Sequence, residues 1–453
     1  MSFSPTAGIG LSLLRFEGGQ EEGVYEATVA CEAPQIRSNG EERPIHQELQ
    51  LQAEEKLPLR VVVVIGALSG FAPLSIDMYL PGLPALQRHF GSSASAAQLT
   101  LTACLVGLAL GQVVIGPLSD RVGRLRPMLV GVGLYVIASF ACAVATSLWL
   151  FTTLRFVQGA AGAAGIVISR AMVRDLRSGA EAVRLFSMLQ IVNGFFPAVA
   201  PVLGAQLLRV GSWRLIFVVL GLAGVVLFVA GALLLSETHP VTARSTGGLK
   251  ATVESFVVLA KDTSFMGYAL VAGFVIGAMF AYISGGSFVI ENIFHLSPQV
   301  FSLIFAANAA GIVAASQISS VAAARLGPAR LLSSGVWASG VGAAGLVVSV
   351  TAHFGLAGVL PSLFVAVSAV GVVMPSATAL AMAEYPHIAG SASGLLGVLQ
   401  FLIGAACAPL VGAFGTTSAL PMAVVIAALA FLALLTRSGV ALSMRATNAA
   451  LKG

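Results

Sequence analysis

The sequence predicts an all-α integral membrane protein, with twelve transmembrane helices in two six-helix halves. Three observations carry that expectation. The 453 residues are 57% hydrophobic and only 9% charged, and mean hydropathy is +0.94, whereas soluble domains are roughly a quarter charged. Apolar runs close to the ~20 residues that cross a bilayer recur twelve times along the chain. The cations collect in alternate loops, which is the pattern that orients multi-span proteins.

The runs, numbered here as spans 1 to 12, cover 61–86, 97–118, 127–147, 149–169, 186–208, 214–235, 265–290, 300–324, 331–351, 355–378, 389–413 and 418–436. A polar stretch at 237–263 is expected to be a cytoplasmic linker between an N-terminal half, 58–236, and a C-terminal half, 264–453. Both termini are assigned to the cytoplasmic side of a cell (inner) membrane. On that topology the inner loops hold Arg121, Arg124, Arg126, Arg170, Arg174, Arg177, Arg184, Arg244, Lys250, Lys261, Arg325 and Arg330, and the C-terminal residues add Arg437, Arg445 and Lys452. The outer loops hold Arg88, Arg209 and Arg214. The reverse topology would export about a dozen cations, against the positive-inside rule. This distribution accounts for the formal charge of +5 and the pI near 9.2 without nucleic acid as a partner. The expected partners are a small-molecule substrate and the lipid bilayer, with the protein a monomer.

Residues 1–57 are polar and hold ten of the nineteen acidic residues. They lack the order of a secretory signal and are expected to form a disordered cytoplasmic tail; a start codon assigned too far upstream would look the same. Cys104, Cys142 and Cys407 lie in apolar spans and Cys31 in the tail, with neither metal nor disulfide spacing.

Small residues recur at helical spacing, in Gly66 and Gly70, Gly107 and Gly111, Gly159, Gly162 and Gly165, and Gly390, Gly394 and Gly397. They let helix backbones approach closely, as any packed bundle needs. Arg121-Val-Gly123-Arg-Leu-Arg126 returns weakly as Arg325-Leu-Gly327-Pro-Ala-Arg330, 204 residues later. Two six-helix repeats with a site between them is a known transporter plan. The acid is not repeated, since Ala324 stands where Asp120 would.

The stretch Gly116-x-Leu118-Ser-Asp120-Arg121-x-Gly123-Arg124 resembles the loop signature of the major facilitator superfamily. Leu154-Arg155-Phe-Val-Gln158-Gly159 resembles its fourth-span motif, and Pro197-x-x-x-Pro201-x-x-Gly204 the fifth-span motif of its drug–proton antiporters. Asp77-Met-Tyr79-Leu-Pro81 is similar to the first-span signature of the Bcr/CflA drug-resistance branch, as are Phe280-Ala-Tyr282, Ser287-Phe288-Val289, Leu296-Ser-Pro298 and Gly394-Leu-Leu-Gly397-Val-Leu-Gln400-Phe401. The resemblance spans about residues 58–437. It implies the major facilitator fold, no enzyme activity, no cofactor, and a proton as the coupling ion.

An acid inside an apolar run is costly and marks function by default. Asp77 is the buried acid of the first six spans. From Arg60 to Asp77 is about 25 Å of helix, and from the start of span 4 to Arg155 about 9 Å in the opposite direction. The two reach a similar depth, so they are expected to pair, directly or through one water or side chain, as a proton-coupling couple. A static structural ion pair is the competing reading. Ser69 stands where some relatives carry a second acid, so one carboxylate would serve both proton and substrate.

At the end of span 2, Asp120 opposes the helix dipole and needs partners; Arg121 and Arg124 are near. The resemblance adds the N-terminus of span 11, around Gly390 to Ser393, as a gating latch, the alternative being a topological anchor only. Pro197 and Pro201 each delete an amide donor and bend span 5, with Gly194 and Gly204 flanking. The resemblance makes that bend the mark of antiporters, with Ala200 where the family often has Gly; an ordinary proline kink is the alternative. Candidate substrate-binding residues are Phe71, Tyr79, Gln158, Phe196, Tyr282, Phe288 and Gln400, since drug-sized sites are apolar with a few polar groups. Glu291 and His295 are expected to be solvated in an outer loop, and Glu384 and His387 to line the cytoplasmic mouth. Proton-coupled export of small, mostly apolar drugs by alternating access is the leading expectation. A narrow metabolite exporter, for amino acids for example, is the alternative, and an importer of sugars a third. There is no nucleophile–base pair, metal spacing or phosphate loop for a membrane enzyme or an ATP-driven pump.

Overall fold

A computed structural model describes residues 58–450, apart from 178, 241, 243, 245–247, 386–387, 414 and 416–417. The expectation for residues 1–57 lies outside the described residues. Every apolar run is a helix. Span 1 is Leu59–Asp77, continued by a 3-10 turn, Leu80–Gly82, and the short helix Leu83–His89. Spans 2 to 6 are Ala94–Val122, Leu125–Ala143, Leu148–Leu176, Gly179–Val210 and Trp213–Leu234. Span 7 is Thr263–Ser287 and runs on into a π-helical turn, Phe288–Ile293. Spans 8 and 9 are Pro298–Leu326 and Pro328–Thr351; span 10 is the pair Gly355–Ser368 and Val370–Met382; spans 11 and 12 are Ala389–Ala413 and Leu420–Ala450. Eleven of the twelve are long and apolar enough to cross a membrane over the described residues, and span 5 contributes the apolar stretch Gly194–Val210 of a 32-residue helix.

The helix ends overrun the apolar runs. Span 4 extends to Leu176 and takes in Arg170 and Arg174. The turn between spans 2 and 3 shrinks to Gly123 and Arg124. Long cationic side chains allow this, because their heads reach the polar boundary while the backbone stays helical. We call the end of the bundle that carries this turn the basic end.

The repeat offset holds in the backbone. Ser93 caps span 2 by accepting from the Ala96 N–H, and Ser297, 204 residues on, caps span 8 by accepting from the Val300 N–H. Gly123 closes span 2 at φ 109° and Gly327 closes span 8 at φ 73°, a region that glycine enters freely. Packing repeats as well. Span 1 packs on span 5 and span 7 on span 11; span 2 packs on span 4 and span 8 on span 10; span 3 packs on span 6 and span 9 on span 12. The two sets meet through spans 2 and 11 and through spans 5 and 8, which are equivalent contacts under the same repeat. Close approach is strict where it recurs: a Cβ on Gly159 would stand 2.0 Å from the Cys104 carbonyl oxygen, and one on Gly371 2.1 Å from that of Ile312. Spans 3, 6 and 9 expose Val130, Ile137, Val226, Leu233 and Val341, the surface a bilayer solvates.

One element departs from expectation. The polar linker contains a helix, Gly248–Lys261. Phe256 and Leu259, three residues apart on one face, pack into the C-terminal core, and the helix lies against spans 2, 7 and 11. Asp262 stops it and starts span 7, accepting from the Ser264 and Phe265 N–H groups at 2.6 and 2.9 Å and from the Tyr385 hydroxyl.

Candidate functional site

Span 1 sets the site. Residues two apart on a helix point about 200° apart, and residues four apart share a face. The dihedrals stay near-helical through Met78 and Tyr79, so Ser75 and Tyr79 lie on one side and Asp77 on the other. The Ser75–Tyr79 side meets span 4. Arg155 is fully buried there. Its Nη1 donates to the Ser75 carbonyl at 3.4 Å and to Gln158 Oε1. Its guanidinium lies 4.3 Å over the Tyr79 ring and 5.5 Å from that of Phe217, a geometry that stabilises a buried cation. Gln158 passes the chain on, donating to Ser139 Oγ at 2.7 Å. Tyr79 Oη sits 3.3 Å from Thr100 Oγ1. Arg155 Nε and Nη2 have no hydrogen-bond partner.

Asp77 faces the other way. It is 5% exposed and lies within electrostatic reach of Tyr282 on span 7, in the second half of the chain. The Tyr282 hydroxyl accepts from Asn308 Nδ2 at 2.9 Å, and its ring stacks on Phe305 at 5.6 Å. The direct form of the expected Asp77–Arg155 pair is not formed: no ion pair among the described residues includes either side chain. Equal depth leaves the direction around the helix axis open. The 200° between Asp77 and the Ser75–Tyr79 face turns the carboxylate away from span 4.

The other candidates divide between the two environments. Phe71 packs inside the first half, 4.5 Å from the Tyr135 ring, and Gln158 is engaged at both ends, so neither lines the seam. Phe196 of span 5 presses on Gly70 of span 1, where a Cβ would meet its ring at 2.1 Å. Phe288 is buried in the π-helical turn, and Gln400 is half-buried on span 11. Glu291 corrects the expectation of a solvated acid. It is half-buried in the π-helical turn, with Oε1 unpartnered, because that turn tucks its first residues into the bundle. His295 and Glu384 are exposed, and His387 lies outside the described residues. Arg214 also departs from the expected wet loop. It donates to the Ala145 carbonyl at 3.0 Å and lies over the Trp213 ring. Asn308 and Phe305 were missed from the sequence. An amide in hydrocarbon needs a partner, and that signal marks Asn308 as well as Gln158.

At the basic end the charged turn is a network. Arg124 donates to Asp120 and Ser119 through Nη1 and to Asp175 of span 4 through Nε at 2.8 Å. Glu237, just past span 6, accepts from the Arg124 and Leu125 backbone N–H groups at 2.7 and 3.2 Å, capping span 3 where a helix favours negative charge. Gly123 must be glycine twice over: its φ is positive, and a Cβ would stand 2.5 Å from Glu237 Oε2. Gly116 accepts from the Ser119 hydroxyl at 2.9 Å, and Arg121 is exposed. No bond joins Asp120 to residues 390–393 among the described residues; the side chain beside Gly390 is Arg174. Asp175 and Glu237 were missed, although both are acids at span ends otherwise dominated by cations. Partial burial works against ionising Glu237. The N–H groups of Arg124, His239 and Leu125 and the charge of Arg244 outweigh it and hold the carboxyl below its ordinary value of 4.5. A depressed value means stability present at neutral pH and lost as pH falls from about 4.5 through the folded-state value. Glu237→Gln is expected to lower the melting temperature in detergent at pH 7 and to flatten its fall below pH 4.5, as read by a thermal-unfolding series.

Span 5 carries Pro197 and Pro201 inside its helix. Gly204 follows, and a Cβ there would lie 1.8 Å from the Met78 carbonyl oxygen. The proline-bearing helix is thus seated on the residue after Asp77.

A family model for the Major Facilitator Superfamily matches residues 65–409. The chain belongs to that superfamily. It is 40% identical to the uncharacterized MFS-type transporter YdgK of Bacillus subtilis, over 80% of this chain and 91% of that protein. It is 29% identical to a bicyclomycin resistance protein homolog of Haemophilus influenzae, over 85% of this chain and 98% of the relative. A chloramphenicol resistance protein of Pseudomonas aeruginosa is 35% identical over 56% of this chain and 59% of its own length. Among solved structures, a bacterial homolog of the lysosomal transporter Spinster aligns with TM-score 0.68 at 15% identity, covering 85% of this chain and 96% of that one. The likeness to the xylose transporter XylE of E. coli has TM-score 0.65 at 14% identity, over 83% of this chain and 96% of XylE. These structural likenesses establish the superfamily fold. The chain is a multi-pass membrane transporter of that superfamily, not an enzyme.

Proposed function

We propose that this transporter exports small, mostly apolar toxic compounds in exchange for protons, by alternating access, with both termini on the cytoplasmic side of a bacterial inner membrane. The observation that carries the reading is Asp77, a buried carboxylate on span 1 within electrostatic reach of Tyr282 on span 7, in the other half of the chain. An ionised carboxylate in a dry seam costs several kcal/mol. A proton removes that cost, and parting of the halves removes it by letting water in. Proton occupancy and conformation are then two sides of one equilibrium. Arg155, tied to Ser75 and Tyr79, holds the far face of span 1 and so fixes the direction of Asp77. The rings of Tyr282, Phe305 and Phe196 suit apolar cargo. The resistance named for several relatives supports drugs as that cargo, and the loop charges support the orientation.

The Tyr282–Asn308 bond favours a second reading, a narrow exporter whose one substrate takes that hydrogen-bonding pair. A growth panel in an efflux-deficient host separates the two. Resistance to several unrelated compounds, chloramphenicol and bicyclomycin among them, that vanishes with a protonophore is the expected result. Resistance unaffected by the protonophore would overturn proton coupling, and protection against a single metabolite would favour the narrow exporter.

A further inference from the structure

Two carbonyls at the seam of spans 2, 7 and 11 are released by breaks in their own helices. Pro409 has no N–H, so the Ala405 carbonyl, four residues back on span 11, loses its intrahelical donor. Span 7 changes from α- to π-helical geometry at Phe288, whose N–H bonds the Gly285 carbonyl, three residues back, in place of that of Ser284. In a bilayer such carbonyls must find partners within the protein. Both are taken by span 2, from the opposite half. Thr102 Oγ1 donates to Ala405 O at 2.8 Å, and Gln98 Nε2 donates to Ser284 O at 3.0 Å. Ser95 Oγ adds a 3.3 Å bond to Pro409 O. Residues 95, 98 and 102 fall on one face of span 2. Gly412 permits the approach, since a Cβ there would lie 2.2 Å from Gln98 Oε1.

We propose that Gln98 and Thr102 are gating residues, which hold the outer side shut by capturing the carbonyls that Pro409 and the π-helical turn release. The inference rests on the alternating-access reading but not on proton coupling. Such a seam has one register, because donors must meet specific carbonyls. It also opens reversibly, because water replaces each bond at little net cost.

The test is the distance between spin labels on Thr146→Cys and Ala352→Cys, exposed at the ends of spans 3 and 9 away from the basic end. It is measured in nanodiscs, with the native cysteines changed to alanine and no substrate or pH gradient. Thr102→Val and Gln98→Met are each expected to raise the population of the longer distance about threefold, the size of a typical interhelical hydrogen bond in membranes. Pro409→Ala is expected to act the same way, because it returns a donor to Ala405 within span 11. Thr102→Val added to Pro409→Ala shifts nothing further, since both act on one carbonyl, and Thr102→Ser restores the parent distribution. Thr153→Val, whose hydroxyl bonds its own helix at Trp149, leaves the distribution unchanged. The proposal is overturned if Thr102→Val has no effect, if it adds in full to Pro409→Ala, or if Thr153→Val shifts the distribution equally.

Discussion

Asp77→Asn is expected to insert and fold like the parent and to lose efflux driven by an imposed pH gradient, down to the level of empty vesicles. Asparagine nearly matches aspartate in shape and costs less in a membrane, so insertion does not suffer. The loss is specific, because the variant has no carboxyl proton to exchange at this position. Substrate exchange with equal concentrations on both sides is expected to persist, since opening and closing of the halves does not itself require the carboxylate. Vesicles that still extrude drug in proportion to the gradient would refute the coupling role.

Arg155→Ala is expected to cost both stability and transport. Removing the guanidinium leaves Gln158 Oε1 and the Ser75 carbonyl without their donor, at about 1–3 kcal/mol for each buried group. It also strips the cation from the Tyr79 ring and frees span 1 to turn. Asp77 then loses its fixed direction even though nothing bonded it to Arg155. Arg209→Ala is the proper comparison, because Arg209 is exposed and its side-chain bond among the described residues goes to Gln206, at 3.4 Å. Arg214 would mislead, being tied to Ala145 and Trp213. Melting temperature and efflux measured side by side should fall for Arg155→Ala and hold for Arg209→Ala. Equal loss in the two would mean that total charge, rather than the buried contact, matters.

Much of the architecture is legible in the residues. Apolar run length marks each span, and the 204-residue offset from Arg121 to Arg325 returns as paired caps at Ser93 and Ser297 and paired glycines at Gly123 and Gly327. The depth of Asp77 and Arg155 also follows from counting residues. Their relation does not, because rise along a helix says nothing about rotation between helices, and rotation is set by packing such as Gly204 on Met78. The linker helix escapes notice because its apolar face is short and its contact with spans 2, 7 and 11 is what makes it worth burying. Asp175 and Glu237 are invisible as a pair, since they meet Arg124 from the last turn of span 4 and from the stretch after span 6, 51 and 113 residues away. Gln98 and Thr102 are ordinary polar residues until Pro409 and the π-helical turn supply the carbonyls they bond.

The central claim is that the Asp77 carboxyl binds and releases a proton as the two halves close and part. Infrared difference spectroscopy of the protein in lipid, followed as pH is stepped, reads that carboxyl directly. A protonated-carboxyl band that rises and falls with pH in the parent and is missing in Asp77→Asn is the predicted result. A spectrum in which Asp77 keeps one ionisation state across the range, with the halves still opening and closing, would contradict it.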